Sequence, residues 1–90
     1  MVRKSFRITA EQGVHARPAT TLVNVAMGFD SDITLSALKK TVDFKSMIGV
    51  MSLGIYSGTT IEVKCDGQDE QEALDAITKA ISDLALGREI

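Results

Sequence analysis

Tryptophan is absent from the 90 residues, and cysteine, proline, histidine and tyrosine occur once each. A single cysteine leaves nothing for an internal disulfide, which excludes a stapled secreted scaffold and fits a reducing, cytoplasmic compartment. Cys65 has no second cysteine or histidine near it, so no metal site is expected. No apolar run approaches the ~18 residues of a membrane span, and the opening Met1-Val2-Arg3-Lys4 lacks the apolar stretch of a signal peptide. No membrane insertion is expected. A basic excess is missing as well. Ten Lys/Arg stand against twelve Asp/Glu, a net charge of −2, which argues against direct nucleic-acid binding. Apolar residues make up 44%, enough for one modest core and a single domain over residues 1–90. Charge is unevenly spread: residues 1–45 carry seven basic and four acidic side chains, residues 46–90 three and eight. The basic first half suits an anionic ligand or an acidic protein partner.

Periodicity orders the elements. Val2, Phe6 and Ile8 alternate with Arg3, Ser5, Arg7 and Thr9, a half-buried strand with Lys4 as the one polar residue on the apolar side. From Ala16 the period becomes helical: Ala19, Leu22, Val23 and Ala26 share a face opposite Thr20, Thr21 and Asn24. Pro18 sits harmlessly in the first turn and Gly28 ends the helix. Ile33 and Leu35 mark a second strand, Val42 and Phe44 a third, joined by Ala37–Lys40 without an Asn-Gly turn signal. Ser46 and Gly54 bracket a short helix. Ile61, Val63 and Cys65 form the cleanest strand. Asp69 to Glu72 reads as a capping box before an amphipathic helix carrying Leu74, Ile77, Ile81 and Leu84 and stopped by Gly87. The order βαββαβα implies an α/β (α+β) open-faced β-sandwich, a four-stranded antiparallel sheet covered on one face by three helices. Its first and last strands are expected to pair centrally.

His15, the lone histidine, precedes the first helix. As an ordinary turn residue it would act as a cap. Its neighbours suggest more. Gly13 allows a tight turn, and the helix N-terminus offers unsatisfied N–H donors to an anion. Arg17 adds a planar, permanently charged fork suited to phosphate. Pro18 has no N–H, so the useful backbone donors are those of Ala16 and Arg17. This describes a nucleophilic histidine beside a phosphate cradle. No phosphate-binding P-loop, magnesium cluster or second catalytic acid accompanies it. Such a histidine can receive a phosphoryl group but cannot extract one from ATP. The chemistry must come from a partner, so the chain is not expected to be an enzyme and needs no cofactor. Ser46 is either a helix cap worth ~1 kcal/mol or a phosphorylation site with Lys45 beside it. Met47, Ile48, Val50, Met51 and Leu53 surround the short helix and cannot all face inward. Met47, Ile48 and Met51 are expected to form an exposed docking patch.

The run Gly13-Val14-His15-Ala16-Arg17-Pro18-Ala19-Thr20 resembles the histidine-containing phosphocarriers, the HPr family of the sugar phosphotransferase system. Lys45-Ser46-Met47-Ile48-Gly49-Val50-Met51-Ser52-Leu53-Gly54 resembles that family's regulatory-serine segment in its low-GC Gram-positive form. Both lie about thirty residues apart in a chain of matching length and element order. The resemblance implies that His15 accepts a phosphoryl group at Nδ1 from phospho-enzyme I and donates it to a sugar-specific enzyme IIA. It implies that Arg17 steadies the phosphate and that Thr20 joins the docking face. Ser46 would be the target of an ATP-dependent HPr kinase/phosphorylase, and the seryl-phosphorylated form a corepressor for a catabolite-control transcription factor. A monomer is expected.

Two other classes compete. A small acyl-phosphate hydrolase needs an arginine cradle and a water held by an asparagine, yet Asn24, the only asparagine, lies two helical turns beyond Arg17. A ferredoxin-like regulatory domain reads a ligand through Gly-rich loops and leaves His15 and Arg17 unexplained.

Overall fold

The computed structural model describes residues 1–90. Its elements are β1 (Val2–Ile8), α1 (Ala16–Met27), β2 (Asp32–Ala37), β3 (Lys40–Asp43), α2 (Met47–Ser52), β4 (Thr60–Asp66), α3 (Glu70–Asp83) and β5 (Gly87–Glu89). Three helices pack on one face of an antiparallel sheet ordered β3-β2-β4-β1-β5. Alternation in β1, β2 and β4 drives this arrangement. Phe6, Ile8, Ile33, Leu35, Ile61, Val63 and Cys65 turn to the helices and are buried. Leu22, Val23, Ala26, Leu74, Ile77 and Ile81 meet them from α1 and α3, in one core of 22 buried apolar residues. Burial pushes the Cys65 thiol up to about 11, with Glu70 and Asp69 adding to the effect. It is a packing residue rather than a reactive one.

The sheet has five strands, not four. The fifth is three residues of Gly-Arg-Glu, too short and too polar to show alternation. It exists because α3 ends earlier than its apolar stripe suggests. Asp83 is the last helical residue and Ala85 turns left-handed at φ 52°. The Leu86 N–H reaches the Ile81 carbonyl at 3.0 Å and the Ala85 N–H that of Ser82 at 3.0 Å, a Schellman turn. Gly87 is not the helix stop. It lies flat against the Arg7 carbonyl, where any Cβ would collide. β5 then pairs with β1, so β1 and β4 are both interior, as the central pairing of first and last long strands required. β2 is interior too, between β3 and β4. Lys4 is accounted for by Glu89, whose carboxylate it meets at 2.5 Å on the helical side of the sheet.

Two local expectations change. Asp69 sits at the N-cap of α3 but makes no capping bond. Its carboxylate accepts the Asp30 and Ser31 N–H groups at 2.9 Å each and the Ser31 hydroxyl, tying the start of β2 to α3. The β2–β3 turn is a two-residue loop with Leu38 (φ 52°) and Lys39 (φ 68°) both left-handed, the type I′ geometry that Asn-Gly normally provides.

Candidate functional site

His15 opens α1 in an extended conformation and its imidazole makes no capping hydrogen bond, which excludes the ordinary cap. The ring is exposed at the surface. The loop before it is held tightly. The Gly13 N–H bonds the Ala10 carbonyl at 2.9 Å and the Val14 N–H bonds the Ile55 carbonyl at 3.0 Å. Gly13 is left-handed at φ 65°, and a Cβ there would strike the Ile55 carbonyl and lie 2.8 Å from the Tyr56 Cα. No other residue fits that crossing. The tight loop therefore sets the height of His15 over the helix end.

Beyond His15 the donors are free. The first backbone bond of α1 runs from the Ala19 N–H to the His15 carbonyl at 3.0 Å, and the Ala16 and Arg17 N–H groups have no protein acceptor. Arg17 is exposed and pairs with no carboxylate. His15, Arg17 and Pro18 line one side of an open depression of about 460 Å³. Its other side holds residues the sequence pattern did not mark: Glu11, Gln12 and, from the end of α3, Leu84 and Leu86. Glu11 makes no ion pair and is placed on the far wall of the depression from His15. Leu84 had read only as part of the core stripe. The Leu86 carbonyl accepts the Thr9 and Ala10 N–H groups at 2.8 and 3.0 Å, so the Schellman turn also forms the floor of the site.

A model of the family described as PTS HPr component phosphorylation site matches residues 2–83. The chain belongs to the HPr phosphocarrier family of the phosphotransferase system. It is similar to the histidine-containing phosphocarrier protein of Mycoplasma, at 40% identity over 96% of this chain and 98% of that one, with a TM-score of 0.94. It is also similar to the phosphocarrier HPr of Bacillus anthracis, at 38% identity over 88% and 94% of the two chains, TM-score 0.81. A third likeness is to Crh, the Bacillus subtilis catabolite-repression protein, seen as a swapped dimer, at 36% identity over 92% and 95%, TM-score 0.72.

Within that HPr frame, α2 stands beside α1. Thr20 donates to the Ala16 carbonyl at 2.8 Å, and its hydroxyl lies 3.9 Å from the Met47 sulfur. Ile48 is 85% and Met51 41% exposed, whereas Met47 is half-buried and packed against the core. Ser46 caps α2, accepting the Gly49 N–H at 3.0 Å. Lys45 does not face it: the ammonium donates to the Phe29 carbonyl at 2.8 Å. Tyr56, in the loop after α2, is a further exposed large side chain, 72% exposed. Its only sequence signal is an isolated aromatic between Gly54 and Gly58. No helix is long and apolar enough to cross a membrane.

Proposed function

We propose that His15 is the phosphoryl acceptor and donor of this phosphocarrier. Enzyme I, charged by phosphoenolpyruvate, supplies the phosphoryl group and sugar-specific enzyme IIA domains receive it. The observation that carries this reading is an exposed, uncapped imidazole beside two unpartnered backbone N–H groups and an unpaired arginine. In the transfer, a lone pair on Nδ1 forms the bond to phosphorus as the donor's bond to phosphorus breaks. The phosphoryl oxygens gain the Ala16 and Arg17 amides and the Arg17 guanidinium. Return of the group to a partner is the productive exit. The chain acts as a carrier in the cytoplasm and has no turnover of its own.

Thr20, Met47, Ile48 and Met51 form the docking face for these partners. Ser46 sits under the same face. Phosphorylation there by an ATP-dependent kinase/phosphorylase replaces the cap hydroxyl and places about −1.5 to −2 charges inside the apolar patch. Enzyme I then docks less well, and a catabolite-control transcription factor bearing basic residues docks better.

The test is incubation with enzyme I and phosphoenolpyruvate, followed by mapping of acid-labile phosphate. Label on His15, lost in His15→Ala with the melting temperature unchanged, is expected. Acid-labile label retained by His15→Ala removes the assignment. Spontaneous phosphate release without a partner would favour hydrolase chemistry.

A further inference from the structure

The chain has four arginines, and none of them pairs with a carboxylate; every ion pair uses a lysine or the N-terminal amine. Arg17 belongs to the phosphate cradle. The other three gather on the face of the sheet that no helix covers. Alternation turns Arg3, Ser5 and Arg7 of β1 away from the core, opposite in parity to buried Phe6 and Ile8. The register sets Arg7 directly across from Arg88 and Arg3 directly across from Lys64, with Ser5 facing Glu62 between them. Like charges in directly opposed positions destabilise a sheet. Here two such pairs stand along β1, with Glu62 at 3.6 Å from Lys64, while the face's other carboxylates, Asp66, Asp32 and Asp43, lie at the end of β4 and on β2 and β3, away from Arg7 and Arg88.

We propose that the open face is a docking surface for an acidic protein segment, laid extended along β1 with carboxylates four residues apart. Arg3 and Arg7, four residues apart on one strand, are separated by about 13 Å, the same repeat as an extended partner. Each carboxylate meets a pair of cations and gains the bidentate geometry of an arginine fork. Glu62 and Ser5 lie midway and select a lysine or hydroxyl at the partner's central position. The same feature disfavours a polyphosphate chain, which would run its charge straight over Glu62. The face also lacks aromatic side chains on which bases stack: Phe6 and Phe44 are buried, Phe29 packs against the core between α1 and β2, and Tyr56 is in the loop after α2. Because the face lies on the opposite side of the sheet from the helices, it is free while His15 engages another protein.

The test titrates the isotope-labelled full chain with a capped peptide carrying glutamates four apart and a lysine midway. Amide shifts confined to residues 3–7, 60–64 and 87–89 are expected, with affinity falling about tenfold as salt rises from about 0.05 to about 0.3 M. Arg88→Glu converts one repulsive pair into an attractive one, so it should raise the melting temperature while weakening the peptide about tenfold. Phosphoryl transfer through His15 should be unchanged in that variant. Absence of shifts, shifts centred on Arg17, equal peptide affinity in Arg88→Glu, or tighter binding of an oligothymidylate of equal charge would each overturn the proposal.

Discussion

Arg17 presents a guanidinium free of carboxylates, on the first turn of α1 where the Ala16 and Arg17 amides are open. It has no ion pair to break when a phosphoryl group arrives. Arg17→Lys keeps the charge and loses the fork, removing one or two charge-assisted contacts worth roughly 1.5–3 kcal/mol. Transfer from enzyme I should slow by about ten- to a hundredfold and still proceed, as measured in single-turnover phosphorylation. Wild-type rates in that variant would show that the fork does not touch the phosphate. Ala85 is a second residue with an outsized effect. It holds a left-handed conformation that costs an L-residue about 1–2 kcal/mol. Glycine relieves that strain but gives back part of the gain as chain entropy in the unfolded state. Ala85→Gly should therefore stabilise by about 0.5–1 kcal/mol, a few degrees in thermal melting. An unchanged or lowered melting temperature would mean that the turn below the site is not strained.

At the level of the element, α2 shows how one short helix divides between core and surface. Val50 is buried, Met47 is half-buried beside Thr20, and Ile48 points outward. Ile48→Asp should leave folding stability within about 0.5 kcal/mol and weaken enzyme I binding by about 2 kcal/mol. Met47→Asp should lower both. Binding measured by calorimetry, next to thermal melts of the two variants, separates these outcomes; a large stability loss in Ile48→Asp would refute the exposed reading. The elements differ in how plainly the chain announces them. β1, β4 and α1 were legible because each repeats its apolar period over several residues. The His15 loop was legible because glycine, histidine, arginine and proline each do a distinct physical job there. β5 was not, since three residues carry no period. The β2–β3 turn hid for another reason: Leu38 and Lys39 adopt left-handed geometry that their side chains disfavour. The β2–β3 register, with Ala37 paired to Lys40, imposes it. The capping box before α3 was misread because a carboxylate at an N-cap has two possible partners. Asp69 takes the one that lies 38 residues away in the chain.

That choice shapes the whole molecule. Asp69 joins the N-terminus of α3 to the start of β2, so one carboxylate locks the helical layer to the sheet. The Ser31 hydroxyl first, then the Asp30 and Ser31 amides, hold its carboxyl below the usual range, against the opposing effect of burial. Glu70 next to it is lowered in the same direction, by the Gly67 N–H first and then by the N-terminal amine. For a carboxyl lowered on folding, the unfolded chain binds protons at a higher pH than the folded one. The stabilisation is complete above the ordinary carboxylate range. It disappears as pH falls through that range towards the folded value, where both states are protonated. Ser31 is buried, so protonating Asp69 leaves its hydroxyl and amide without a charged acceptor in a place water reaches poorly. The melting temperature of the wild type should therefore drop as pH falls through the ordinary carboxylate range and below it, in part through these two groups. Asp69→Asn keeps the shape and one acceptor oxygen but cannot titrate. It should melt lower than wild type at pH 7, and the gap should narrow on acidification. Thermal melts of both proteins across that pH range decide the matter. Parallel curves, with a constant gap at every pH, would place the acid sensitivity elsewhere and leave the Asp69 link as geometry alone.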